Sequence, residues 1–318
     1  MTESTSQPAN TPPGVRHLLD PELQPILGSF ELPPLDLESL TMMRSASFAT
    51  PGLSDAVERI EHLVPGDPPV RVRVHRAKSE RGVRPAIVTM HGGGYLIGSY
   101  EMDDTLLQQW CQSLGIVGVS VDYRLAPETP YPGPLEDCYA ALQWTHQHAD
   151  ELGIDPARIG IYGLSAGGGL AAALALLARD RGEFPVAFQL LDCPMLDDRQ
   201  DTLSIQAEGL FVWDFAANQL GWRSYLGDRY GAADLEPYAA AARATDLVGL
   251  PPTCIVVGSI DGFRDEDVAY AQRLNQAGVP CELHVIAGLP HAYLIVPGAA
   301  AVQLAGHCTE DWLRRQLR

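Results

Sequence analysis

Arg158-Ile159-Gly160-Ile161-Tyr162-Gly163-Leu164-Ser165-Ala166-Gly167 is the stretch that decides the fold. Its first five residues read as a short buried strand. The run that follows, Ala166 to Ala178, reads as a helix. Gly163-x-Ser165-x-Gly167 lies between them, so the chain must turn sharply from strand into helix. Bulky side chains at the flanking positions would block that turn. Ser165 then projects its hydroxyl at a helix N-terminus, where partial positive charge stabilises a nearby oxyanion. The blander reading is a tight packing turn without chemistry, and the strand-before, helix-after context argues against it. A phosphate-binding loop is excluded by residue identity. Gly163 to Gly168 has the spacing, but Gly169 and Leu170 stand where Lys and Ser or Thr are needed.

Working outward, apolar runs alternate with helical patterns. Strands are predicted at Val57–Leu63, Val70–His75, Pro85–Met90, Ile116–Val121, Ile159–Tyr162, Val186–Leu191, Thr253–Val257 and Cys281–Ile286. Helices are predicted at Thr105–Ser113, Pro134–Gly153, Ala166–Arg179 and Asp265–Ala277, with shorter patterns at Pro21–Leu27 and Leu35–Arg44. This alternation implies an α/β fold with an eight-stranded, mostly parallel sheet covered on both faces. The first two strands, joined by Pro65-Gly66-Asp67-Pro68, read as an antiparallel hairpin at one edge. Two pieces fall outside the alternation, residues 1–50 and 197–246. Together they are expected to form a helical cap over the core of residues 51–196 and 247–318, because insertions gather at the C-terminal ends of strands.

His91-Gly92-Gly93-Gly94 follows the strand ending at Met90. Consecutive glycines let backbone N–H groups approach a substrate closely. Gly93 and Gly94, with Ala166 after the serine, are the expected donors to an oxyanion. At this point the chain resembles the hormone-sensitive-lipase-like esterases, bacterial family IV of the α/β-hydrolase fold. His91-Gly92-Gly93-Gly94-Tyr95 matches the family's oxyanion motif. Asp122-Tyr123-Arg124-Leu125-Ala126-Pro127-Glu128 matches a second signature, and Asp137-Cys138 followed by Trp144 is similar to the helix after it. The resemblance runs from about residue 55 to the end.

A nucleophilic serine needs a base, and the base needs an orienting carboxylate. In α/β-hydrolases the chain order is Ser, acid, His. Only His284, His291 and His307 follow Ser165. His284 lies mid-strand and His307 in an apparent last helix. His291 stands in the loop after the last strand and is the expected base. The resemblance places the acid at Asp261, just past the strand Thr253–Val257 and before Arg264-Asp265-Glu266; Asp265 is its rival. The residues expected to touch substrate are Tyr95, Leu164 and Trp213. Trp213, Phe215 and Trp222 could line an acyl pocket or form the cap's own core. Three positions depart from the family's habit: Leu164 replaces an Asp or Thr, Gly262 a Pro, and Ala292 a Gly.

Composition narrows the partners. Lys plus Arg is 22 and Asp plus Glu 40, a formal charge of −18. Such a surface repels nucleic acid and anionic membranes. The apolar helical run Gly167 to Ala178 has 12 residues, against about 20 for a bilayer span. Residues 1–14 carry no signal-peptide core, so a cytoplasmic location is expected. The six cysteines are scattered without a C-x-x-C pair, and His146 and His148 do not share a helix face. No metal and no cofactor are therefore expected. The expected function is a serine carboxylesterase for small, short-acyl esters, working on a small-molecule substrate. An amidase or deacetylase on the same triad, or a non-catalytic receptor, is the alternative. The resemblance also admits a homodimer through the last strand, Cys281–Ile286, with a monomer that shields this edge as the equal alternative.

Overall fold

The structure is a computed structural model describing residues 14–29, 36–45, 52–79 and 82–318. The strands are β1 (Val57–Val64), β2 (Val70–Ala77), β3 (Arg84–Met90), β4 (Val117–Asp122), β5 (Ile154–Leu164), β6 (Gln189–Asp192), β7 (Thr253–Gly258) and β8 (Cys281–Ile286). The helices are α1 (Gln24–Leu27), α2 (Leu37–Ser45), α3 (Asp104–Ser113), α4 (Gly133–Gln147), α5 (Ala149–Leu152), α6 (Ala166–Arg181), α7 (Phe215–Leu226), α8 (Arg264–Gln276) and α9 (Ala300–Gln316).

All eight strands form one sheet in the order β1-β2-β4-β3-β5-β6-β7-β8. β1 and β2 pair antiparallel, and β2 meets β4 antiparallel; from β4 to β8 every pairing is parallel. Every residue of β3 and β7 is buried, as strands covered on both faces require. β8 is half-exposed along most of its length, as an outer strand.

Several predicted boundaries move, and β5, expected from Ile159, begins at Ile154. The helix expected over residues 134–153 breaks at His148, whose backbone leaves the helical region (φ −106°, ψ 17°), and α5 then stops at left-handed Gly153. The strand expected from Val186 begins at Gln189, because pairing with β7 starts at the register Gln189–Thr253. Parts of residues 1–50 lie outside the described residues.

The sheet's C-terminal edge is where the chain's small residues matter. α6 is buried from Ala166 through Ala178, and three glycines in its first turn let it press on the sheet. A side chain at Gly167 would collide with the carbonyls of Met90 and His91 at the end of β3. Glycine therefore lets the helix start lie directly against the loop that leaves β3.

Residues 14–29 and 197–246 both lie on this edge. The Val15 N–H donates to the Glu208 carbonyl (3.0 Å), and the Arg16 guanidinium sits over the Phe211 ring (4.9 Å). The Asp20 N–H donates to the carbonyl of Gly288 (3.0 Å), three residues before His291. In the later segment, the Tyr225 carbonyl accepts from the Tyr131 N–H (2.7 Å).

Asp103, in the turn before α3, accepts from the Thr89 hydroxyl at 2.6 Å and is buried. Burial pushes its carboxyl up to about 7, the Thr89 bond opposes this, and neighbouring Asp104 adds to it. The folded state thus holds the proton more tightly than the unfolded chain. The stability this supplies is full below about pH 4 and is lost as pH rises through about 7. Asp103→Asn keeps an acceptor for Thr89 and removes the ionisation. Urea unfolding is expected to show the variant gaining on the parent chain between pH 4 and 7, by a few kcal/mol on the order of the shift, then holding level. A pH-independent difference would contradict the buried proton.

Candidate active site

Three side chains from loops after neighbouring strands converge. Ser165 caps β5 in a left-handed conformation (φ 56°, ψ −118°), a strained backbone for a non-glycine residue. Its N–H donates to the Asp192 carbonyl (2.8 Å), and its own carbonyl accepts from Met195 (2.9 Å) and Gly169 (3.0 Å). The turn is thus tied to both β6 and α6. Ser165 Oγ lies 2.9 Å from His291 Nε2, and His291 Nδ1 lies 2.8 Å from Asp261 Oδ2. The other oxygen of Asp261 accepts from the Phe263 N–H (2.9 Å), which fixes the carboxylate plane. The Phe263 ring meets the imidazole edge-on at 5.0 Å. Asp261 is 1% exposed and His291 6%, so water has little access to their bond. With Nδ1–H donating to the carboxylate, the Nε2 lone pair faces the hydroxyl.

The rival residues are engaged elsewhere. His284 pairs with Glu282 (2.8 Å) on β8, and His307 is exposed on α9. One oxygen of Asp265 accepts from the Ser204 N–H (2.9 Å), and the other accepts from Arg264 (2.8 Å).

The glycine loop reaches the same point. Gly93, Gly94 and Tyr95 all have positive φ (118°, 62° and 66°). The Gly93 carbonyl closes the turn by accepting from Leu96 (2.9 Å) and Ile97 (3.0 Å). Among the described residues the Gly93 and Gly94 N–H groups donate to no backbone carbonyl outside the regular elements. Ala166 is the first residue of α6, where an N–H has no intrahelical partner. Beneath the loop, the His91 ring stacks on Tyr123 (4.2 Å) and its Nδ1 bonds the Gly92 carbonyl (2.7 Å). Burial lowers its pKa to about 4, so this histidine is neutral and structural at pH 7. Arg124 and Asp137, from the two family signatures, hold one another in a bidentate pair (2.7 and 2.8 Å).

The three side chains expected to touch substrate are placed differently. Tyr95 is 1% exposed, with its ring stacked on Tyr225 at 4.0 Å and its hydroxyl directed at the Met195 carbonyl (3.4 Å). That side chain has almost no open surface, a correction to its expected role; only its backbone belongs to the loop. Leu164 is half-buried beside Gly92. The Trp213 ring lies so close to the loop that a side chain at Gly94 would overlap it, and its Nε1–H donates to Asn218 (3.2 Å). Trp222 is wholly buried, whereas Phe215 is 40% exposed.

Sequence reasoning missed two supports. Arg44, on α2, donates from Nε to the Leu96 carbonyl (2.6 Å), from Nη2 to the Ala126 carbonyl (2.6 Å), and from Nη1 to Glu128 (2.7 Å). The Ala126 N–H in turn donates to the Tyr95 carbonyl (2.9 Å). One guanidinium therefore fastens two loops on either side of Tyr95. The second support is Tyr293, whose hydroxyl donates to buried Asp192 (2.7 Å) and ties the histidine loop to the end of β6. Burial pushes Asp192 up to about 6, against the Tyr293 bond and the nearby His291. The only sequence signal for the latter was two unexplained polar residues inside apolar surroundings; Arg44 gave none.

Arg44→Ala is expected to lower kcat roughly tenfold or more on p-nitrophenyl acetate, since small misplacements of positioned groups are costly. KM should change by less than about threefold. Arg44→Lys should recover only part of the loss, because a single ammonium cannot span both carbonyls. A variant that shifts KM alone would remove Arg44 from the support of this loop.

Comparison with known proteins identifies relatives of the whole fold. The sequence pattern of the α/β-hydrolase fold family matches residues 87–295. The carboxylic ester hydrolase LipN of Mycobacterium tuberculosis is 35% identical over 294 residues, 87% of this chain and 77% of LipN. An ethyl acetate hydrolase of Pseudomonas putida is 33% identical over 210 residues, 66% of each chain. Among solved structures, a bacterial heroin esterase superposes with a TM-score of 0.87 at 41% identity, covering 96% of this chain and 99% of that one.

Proposed function

This chain belongs to the α/β-hydrolase family, in its hormone-sensitive-lipase-like branch, and is a carboxylic ester hydrolase; from that premise we propose that it cleaves small, short-acyl esters through an acyl-enzyme on Ser165. The observation that carries this reading is the unbroken relay Ser165–His291–Asp261, with both links under 3 Å.

In the proposed cycle, Ser165 Oγ attacks the ester carbonyl while Nε2 of His291 takes the hydroxyl proton. Asp261 holds the imidazole in the required tautomer and faces the positive charge that forms on it. The developing oxyanion lies among the N–H groups of Gly93, Gly94 and Ala166, where each donor is worth about 10²–10³ in rate. His291 then returns the proton to the departing alcohol. Water, deprotonated by the same imidazole, releases the acid.

Two features support a short acyl chain. Trp213 lies against Gly94, so the space beside the oxyanion loop is walled by an indole. A relative is named for hydrolysing ethyl acetate. We assign residues 14–29 and 36–45 of the N-terminal segment, together with 197–246, to one cap, supported by the contacts of Val15 with Glu208 and Arg16 with Phe211. No helix among the described residues is long and apolar enough to cross a membrane. A second copy adding to the half-exposed strand β8 is the dimer this reading admits.

Ser165→Ala is expected to abolish both hydrolysis and fluorophosphonate labelling, and Asp261→Asn to lose up to about 10⁴ in kcat. Retained turnover in Ser165→Ala would remove the nucleophile assignment. Across p-nitrophenyl esters, kcat/KM should peak at two to four acyl carbons, chain lengths chosen as roughly the span an indole-walled pocket admits. A maximum at long acyl chains would overturn the short-chain reading. Faster turnover of p-nitroacetanilide than of p-nitrophenyl acetate would make the enzyme an amidase.

A further inference from the structure

We propose that Cys193, Asp261 and His291 form a site for a thiophilic divalent cation, Zn²⁺ or Cd²⁺, and that occupancy switches the esterase off. The inference rests on the triad reading above for its inhibitory half only; the site itself rests on placement.

Cys193 directly follows β6, Asp261 follows β7, and His291 follows β8, so three adjacent parallel strands each deliver one ligand at the same end of the sheet. One ligand atom from each residue lies within 4.8 Å of the others, and all three side chains are buried. Sulfur, nitrogen and carboxylate oxygen are a donor set that zinc accepts, and thiolate favours the softer ions. Bond lengths of about 2.0–2.3 Å put such ligand atoms about 3.5 Å apart around a tetrahedral ion, so shifts of about an ångström close the site. The Cys193 backbone is held in place: its φ is 36°, and its N–H donates to the Val256 carbonyl (2.7 Å).

Further buried carboxyl groups, Asp192 and Asp267, lie near the thiol. Asp267 is wholly buried, and neither carboxylate oxygen has a hydrogen-bond partner among the described residues. A divalent ion brings more positive charge than the thiol proton it displaces, and the Asp261 carboxylate favours that exchange.

The chemistry balances with one proton released. The thiol gives its proton to solvent and binds the metal as thiolate. The metal takes Nδ1 of His291, whose proton moves to Nε2, and it takes a carboxylate oxygen of Asp261. With a proton on Nε2, the imidazole can only donate to Ser165 and no longer accepts its proton. The bond that fixed the productive tautomer is also gone.

Cys281 and Cys308 are partly exposed, so the test uses the full chain carrying Cys281→Ser and Cys308→Ser. Titration with Cd²⁺ is expected to raise the ultraviolet thiolate-to-metal band at one equivalent. Zn²⁺ or Cd²⁺ should cut p-nitrophenyl acetate hydrolysis by at least about tenfold, and EDTA should restore it. Adding Cys193→Ser should remove the band and raise the metal concentration needed for inhibition by about tenfold or more. Each rate is taken relative to the same variant without metal. Cys193→Ala serves as a second variant, with melting curves to confirm folding of both. Adding Ser165→Ala to the parent should leave the cadmium band intact, so failure of the site and failure of the nucleophile assignment read out separately. A missing band in the parent, or a band and inhibition that survive loss of the Cys193 thiol, would overturn the proposal.

Discussion

One close backbone approach governs the upper edge of this molecule: the start of α6 lies against the end of β3, with no side chain between them at Gly167. That contact sets the distance between the two halves of the proposed oxyanion hole, Ala166 on one side and Gly93 and Gly94 on the other. It also explains the strain at Ser165. A serine that both ends a strand and begins a helix has no relaxed conformation available, and its left-handed φ of 56° is held by bonds to Asp192, Met195 and Gly169. Packing energy from a helix buried over most of its length keeps the residue there.

The second organising feature is charge without water. Asp103, Asp192, Asp267 and Glu266 are all buried and all shifted toward the protonated form by that burial. Glu266 is partly compensated by the N–H groups of Leu196 and Asp197 (2.7 and 3.2 Å). Asp261 sits in the same region yet has specific partners, the Phe263 N–H and the His291 ring. A carboxylate with matched donors on both oxygens does a different job from one left to burial, although both have the same side chain and similar exposure.

The parallel sheet, its antiparallel hairpin and the order of the strands' chemistry were legible because they rest on local signals. Apolar runs, a Pro-Gly-Asp-Pro turn and glycines at fixed offsets each have a near-neighbour cause. That Ser165, Asp261 and His291 lie just past strands was legible for a related reason: strand ends in a parallel sheet meet in space. Ala292, where the family carries glycine, has φ 57°, so the structure gives that family habit a physical cause that sequence alone could only note. Long-range polar contacts were not legible. Arg44 reaches Leu96 across 52 residues and Ala126 across 82, and nothing in its own helix marks it. Tyr95 misled for the opposite reason. An aromatic beside a glycine motif suggests a substrate contact, and its burial against Tyr225 depends on a segment far along the chain.

The relation between the proposed cap segments and the proposed chemistry follows from these long contacts. Residues 14–29 bond to the loop before His291 through Gly288, α2 holds the oxyanion loop through Arg44, and the 197–246 segment rests Trp213 on Gly94. The covering segments therefore touch the loops that carry the proposed base and the proposed oxyanion donors. A cover that only shielded the pocket could vary freely in sequence without touching the rate. One that buttresses these loops transmits any change in its packing to the reacting geometry, and there a shift of a fraction of an ångström is enough to be felt. In this chain, the proposed cap and the proposed catalytic alignment share the same set of contacts.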